Sequence, residues 1–237
     1  MEVHDVSQYI HANLPHPSFY IQDILPVQGV MLLYGQPKVR KSWLAEWMGF
    51  CIATGSEFLN MRTTQGVVLL SNFEISPLNY HWRLVQEGRH FELQPNFLFE
   101  YSPMLMYLDD DEVFNRFVAL LRTLNPNVLV IDCMAAAFGG DENNSQHVAA
   151  FIEKLTIIRL QIGCSIILVH HTNKNELMPG SVNRARGHSR LTGWVDTLCY
   201  MAEQPGGAVQ LQIKARQGTR EIPNLNIKFE NYMWSMR

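Results

Sequence analysis

Residues 29–50 read GVMLLYGQPKVRKSWLAEWMGF. An apolar run ends at Tyr34, the polar octet GQPKVRKS spans Gly35 to Ser42, and apolar residues at helical spacing follow. A phosphate-binding loop has the form G-x-x-x-x-G-K-[ST]. Its backbone N–H groups converge on phosphate oxygens at a helix N-terminus, the lysine reaches the terminal phosphates, and the hydroxyl ligates magnesium. Gly35, Lys41 and Ser42 stand at the required spacing, with Gln36, Pro37, Lys38 and Val39 between them. Arg40 replaces the second glycine. Glycine lets the backbone turn there without Cβ crowding, so the arginine either distorts the loop or swings outward and leaves a working cradle with added positive charge. Strand, loop and helix follow in the order such a site demands, which makes a chance Lys-Ser on a surface turn the weaker reading.

Three more apolar runs match the first: GVVLLS (66–71), NVLVID (127–132) and CSIILVHH (164–171). Short continuous apolar runs suit strands buried on both faces, the mark of a mostly parallel sheet. Helical patterns lie between them. From Lys41 to Thr54, Leu44, Trp47, Met48, Cys51 and Ile52 fall on one face, with Gly55 at the cap position. Further helices fit Asp110 to Leu124 and Ser145 to Gln161, the latter with Val148, Phe151, Ile152, Leu155 and Ile158 on one side. Alternating buried strands and helices predict an α/β fold with crossover connections. After residue 195 the pattern changes to consecutive strands joined by Pro-Gly-Gly and a Gln-Gly turn, predicted as antiparallel strands extending the same sheet. Residues 1–20 read as a lead-in arm interrupted by Pro15 and Pro17, and residues 21–237 as a single domain.

The 237 residues, 47% hydrophobic, suffice for a full core without staples. A net charge of −3 gives no global field that advertises nucleic-acid binding, although a few local cations can line a path for it. Cys51, Cys133, Cys164 and Cys199 are widely separated in apolar stretches and read as reduced, buried residues of a cytoplasmic protein. No metal-binding Cys/His spacing and no membrane-spanning run is present.

Asp132 closes an apolar strand, where an aspartate is costly unless a cation or metal meets it. With GQPKVRKSWLAEWM, VVLLSNFEIS, VLVIDCMAAAFGGDENNS, CSIILVHHTNK and RGHSRLTGWVDTLCYM in this order, the chain resembles the RecA-like ATPases. It looks closest to the RepA-type hexameric helicase group, related to the DnaB helicases, with a variant Walker A loop. The resemblance runs from about Tyr20 to the C-terminus and implies a RecA-like P-loop NTPase core that binds ATP and Mg2+.

Position by position, the resemblance assigns Lys41 to phosphate and Ser42 and Asp132 to magnesium. Glu74, in SNFEIS, matches the glutamate that polarises the attacking water; a helix-leading cap beside Ser76 is the other reading of it. His171 matches the polar γ-phosphate sensor, and a buried core histidine is the alternative. Neighbouring His170 points the other way if the strand continues. Lys214 and Arg216, in LQIKARQG, resemble a K-x-R pair that enters the neighbouring subunit's ATP site, and two cations two residues apart on a strand share one face. The segment carrying Lys174, Arg184 and Arg186 corresponds to the single-stranded DNA contact; lacking aromatic residues, it implies salt-sensitive phosphate contacts. The expectation is a helicase-type ATPase acting on single-stranded DNA as a homo-oligomer, most simply a hexameric ring with ATP between subunits. The alternative is a regulatory or structural RecA-like protein with weak or no turnover, since Arg40 bears on hydrolysis.

Overall fold

The computed structural model describes residues 5–9, 11, 18–103, 106–171, 189–217 and 221–237. After the single turn α1 (Val6–Tyr9), β1 (Phe19–Ile21) and β2 (Leu25–Pro26) form a small antiparallel pair. The main body continues with β3 (Val30–Gly35), α2 (Lys41–Thr54), β4 (Val68–Asn72), α3 (Pro77–Gly88) and β5 (Leu98–Tyr101). Then come α4 (Asp111–Leu124), β6 (Val128–Asp132), α5 (Met134–Ala137), α6 (Ser145–Ile162), β7 (Ser165–His171) and α7 (Ser189–Trp194). Four strands close the chain: β8 (Thr197–Glu203), β9 (Val209–Ala215), β10 (Leu225–Glu230) and β11 (Met233–Met236).

Nine strands form one sheet in the order β11-β10-β9-β8-β3-β7-β6-β4-β5. From β8 to β5 every pairing is parallel, whereas β8–β9, β9–β10 and β10–β11 are antiparallel. The predicted α/β architecture and its antiparallel extension are therefore both present. The turn between β8 and β9 is built on Gly206 and Gly207, both in the left-handed region, within the expected Pro-Gly-Gly.

The two-residue period of a strand divides the core between the sheet's faces. Met31 and Leu33, Val68 and Leu70, Val128 and Val130, and Ile167 and Val169 join a cluster with α2. Val30, Leu32, Leu69, Leu129, Ile131, Ile166 and Leu168 pack with α4 and α6 on the other side. Continuing that alternation to the strand tips puts Asn72, Asp132 and His171 on the α2 side, while buried His170 takes the opposite side. These candidate site residues thus reach the α2 face because each ends a run of core residues on it.

Helix α2 departs from the amphipathic reading. Its buried residues include Lys41, Ala45, Glu46, Gly49, Phe50 and Ala53 as well as the expected apolar set. The sheet covers one side, while α3 and the C-terminal hairpin cover much of the rest. Among the aromatic contacts, Phe50 stacks on Phe91 at 5.1 Å and Trp43 packs on Phe229 at 5.2 Å. Phe19 and Tyr20, placed in the arm by sequence, are both buried, and Tyr20 joins the core on the α2 side.

Candidate nucleotide site

The loop between β3 and α2 lies at the carboxyl end of the sheet's central parallel strand, where open α/β sheets bind ligands. Gly35 is fixed by close approach: a Cβ there would lie 2.3 Å from the carbonyl oxygen of Met201 on β8. Lys38 and Arg40 both adopt the left-handed conformation, with φ of 70° and 64°. Arg40 is the residue that enters α2, and its backbone turns where the expected glycine would turn freely. Its guanidinium is directed toward Phe229, 5.4 Å from the ring centroid. The arginine therefore takes up the turn at a conformational cost of roughly 1 kcal/mol, offset in part by a cation–π contact of ~0.5–1 kcal/mol.

Lys41 is 2% exposed, and its Nζ donates to the carbonyl oxygens of Gly35 at 2.9 Å and Gln36 at 2.8 Å. Burial lowers its pKa from 10.5 to about 8, against the opposing pull of Asp132, Cys133 and Glu74. Ser42 Oγ donates to Asp132 Oδ1 at 3.1 Å, bridging the first turn of α2 and the tip of β6. Burial raises Asp132 to about 6, with the Ser42 hydrogen bond acting the other way.

Glu74 sits beyond β4 in a turn held by Asn72. The Asn72 Oδ1 accepts from the N–H groups of Glu74 at 3.2 Å and Ile75 at 3.0 Å, while Nδ2 donates to the Ile75 carbonyl at 2.7 Å. The α3 cap is Ser76, whose Oγ accepts from Asn79 N–H at 3.4 Å, so Glu74 is free of that task. Its carboxylate is 3.3 Å from His171 Nε2. The His171 hydrogen bond is the largest influence holding Glu74 below its ordinary range, ahead of the upward push of burial. Lys38, Arg40, Lys41, Ser42, Glu74 and His171 share one cleft of about 230 Å³.

Three further residues of this region escaped the sequence reading. Trp43 and Arg83 line the cleft. Arg83 Nη1 bonds Glu46 Oε1 at 2.8 Å, and its guanidinium lies 4.8 Å from the Trp43 ring centroid. Glu46 adjoins buried Glu87, and burial raises both carboxyls. The Arg83 guanidinium opposes that rise at both carboxyls. The third residue, Cys133, adjoins Glu74 at the tip of β6.

Lys214 and Arg216 lie apart from this cleft. Ala215 pairs with Thr197, which is level with Met31, about 13 Å along β3 from Gly35. Lys214 belongs to β9, but Arg216 follows the strand's end, where its N–H donates to the Asp196 carbonyl and its guanidinium to that of Gly193. The Arg216 N–H to Asp196 bond continues the β8–β9 pairing one residue past the strand's end, and Lys214 and Arg216 are both exposed on either side of partly buried Ala215. Lys174, Arg184 and Arg186 lie outside the described residues.

A glycine-initiated loop between a buried strand and a helix, a buried lysine, and a hydroxyl–aspartate pair joining the start of α2 to the tip of β6 define a P-loop nucleotide-binding protein. The AAA domain family AAA_25 matches residues 2–176, and the chain belongs to this family of P-loop ATPases, related to RecA- and DnaB-like helicases. It is an ATP-binding P-loop ATPase by class. The match ends before β8, so Lys214 and Arg216 fall beyond it. No curated protein sequence matches the chain. No helix among the described residues is long and apolar enough to cross a membrane.

Proposed function

We propose that the protein hydrolyses ATP as a helicase-type motor on single-stranded DNA, in a ring or filament whose ATP sites lie between subunits. The observation that carries the hydrolytic part is the shared cleft of Lys41, Ser42, Glu74 and His171, with Asp132 bonded to Ser42 beneath it. The oxygen pair of Ser42 and Asp132 suits a hard cation such as Mg2+. When bound, that ion neutralises charge on the phosphate oxygens.

The chain's own groups divide the remaining work. Backbone N–H groups at the start of α2 face a bound anion, and Lys41 exchanges its carbonyl partners for terminal phosphate oxygens. Glu74, kept ionised by His171, orients a water and takes its proton. His171 reads the γ-phosphate through the same contact, because a shift of its ring changes the partner of Glu74. Lys214 and Arg216, distant from their own subunit's cleft, serve a neighbour's as the cationic group that stabilises charge in phosphoryl transfer. Lys174, Arg184 and Arg186 supply DNA phosphate contacts.

Mixing two inactive variants tests both the activity and the shared site. Lys41→Ala and Arg216→Ala should each abolish DNA-stimulated turnover, whereas co-assembled mixtures should recover part of it. A recovered site has its loop from one variant and its arginine from the other. Full turnover by Arg216→Ala alone would contradict the shared site, and absence of turnover in the unaltered protein would contradict the motor.

A further inference from the structure

Cys133 follows Asp132 but takes no part in the chemistry proposed above. It is buried, it stands at the N-cap position of the short helix α5, and its sulfur lies close to Glu74. Glu74, Cys133 and His171 each offer one ligand atom, and these atoms lie within 4.8 Å of one another. The three residues come from the ends of β4, β6 and β7, which are neighbours in the sheet. His171 is paired in the sheet, Cys133 directly follows the last β4–β6 pair, Asn72–Asp132, and Glu74 lies in the turn, where its N–H donates to Asn72 Oδ1. His171 Nδ1 is in addition buried without a hydrogen-bond partner among the described residues.

We propose that Glu74, Cys133 and His171 form a binding site for a borderline-soft divalent cation, Zn2+ in chemical preference, distinct from the oxygen-only pair of Ser42 and Asp132. One sulfur, one imidazole nitrogen and one carboxylate oxygen are the donor types that zinc takes in sites with three protein ligands and one open position. A tetrahedral zinc sets such atoms about 3.3–3.8 Å apart, so side-chain rotations of about 1 Å close the cluster around it. Magnesium is a poor competitor because it takes hard oxygen ligands and dehydrates reluctantly. Binding releases the Cys133 thiol proton to solvent and leaves sulfur as the thiolate ligand.

The consequence for turnover rests on the role assigned to Glu74 above. A carboxylate bound to zinc cannot accept a proton from the attacking water, and an imidazole bound to zinc cannot follow the γ-phosphate. Zinc then inhibits hydrolysis while nucleotide remains bound at the loop.

The test uses the full chain without nucleotide, titrated with Co2+ as a spectroscopic substitute for Zn2+ in the presence of excess Mg2+. One equivalent of Co2+ should produce a thiolate-to-cobalt charge-transfer band in the near ultraviolet, displaced by Zn2+ and unaffected by Mg2+. Cys133→Ser, a nearly isosteric change that removes the sulfur, should lose the band. His171→Ala, at a partly exposed position, should weaken Co2+ binding at least tenfold and serves should the serine variant fail to fold. Absence of the band, or a band unchanged in both variants, overturns the site. A parallel assay with Zn2+ separates this inference from the reading it rests on. Zinc binding with unimpaired ATP turnover supports the site and removes Glu74 from catalysis. Turnover that depends on Glu74 without any cobalt or zinc binding leaves hydrolysis standing and overturns the site.

Discussion

Ser42 and Asp132 are joined by a hydrogen bond of 3.1 Å although 90 residues separate them in the chain. One opens α2 and the other ends β6, so the contact fixes the helix against the sheet where a cation has to sit. Because burial raises Asp132 to about 6, the folded protein holds a proton between about pH 4 and pH 6 that the unfolded chain releases. Its contribution to stability therefore declines as pH rises through that window, and magnesium binding replaces it. The half-saturating Mg2+ concentration for nucleotide binding should rise about tenfold per unit below about pH 6. Ser42→Ala should raise it at all pH values, as measured by fluorescent-nucleotide titration.

Arg40→Gly should leave ATP turnover within about threefold of the unaltered protein. The arginine already adopts the left-handed turn, with its guanidinium directed toward Phe229. Glycine relieves roughly 1 kcal/mol of backbone cost but gives up the ring contact, so thermal stability should move by about 1 kcal/mol or less. A gain in turnover of tenfold or more would show instead that the arginine impairs the loop.

Lys41→Ala should weaken nucleotide binding by about tenfold to a hundredfold, the cost of losing charge-assisted hydrogen bonds worth ~1.5–3 kcal/mol. Its pKa, lowered by burial to about 8, adds a pH signature. Above that value the amine is neutral in the free protein, so nucleotide affinity should decline on the alkaline side. Lys41→Ala should remove this decline. For stability the sign is opposite: between about pH 8 and 10.5 the unfolded chain keeps a proton that the folded one has lost, so stability contributed by this group rises with pH.

The buried pair Glu46–Glu87 predicts stability of the opposite slope. Burial raises both carboxyls, Glu46 from 4.5 to about 8. Their contribution is fully present below the ordinary glutamate range and is lost as pH rises through the raised values. Glu87→Gln preserves size and polarity beside Glu46 without a titrating proton. Denaturant titrations should show a flatter pH profile and a gain of about 1 kcal/mol at pH 8; an unchanged slope would place the titration elsewhere.

The parts legible in sequence were those where local pattern and chemistry coincide. An apolar run that ends in Asp132 or His171 announces both a buried strand and a side chain aimed off its tip, and GQPKVRKS announces the turn before α2. Arg83 was invisible because it adjoins exposed Trp82 on α3 and reads as a solvated charge; its purpose depends on Glu46, 37 residues away. Glu46 itself was the available signal: one carboxylate within the apolar run of α2 demands a cationic or protonated partner. The full burial of α2 was likewise hidden, since the hairpin that covers Trp43 comes from the far end of the chain.

Glu74→Gln gives the most direct measurement of the central claim, with steady-state ATP hydrolysis and equilibrium ATP binding recorded on the same preparations. The change removes the proton acceptor while preserving size, and general-base catalysis contributes about 10²–10⁴-fold. The account predicts turnover by the unaltered protein, a loss of at least about a hundredfold in Glu74→Gln, and ATP affinity retained within a few fold. Equal turnover in the two proteins, or none in either, would contradict it.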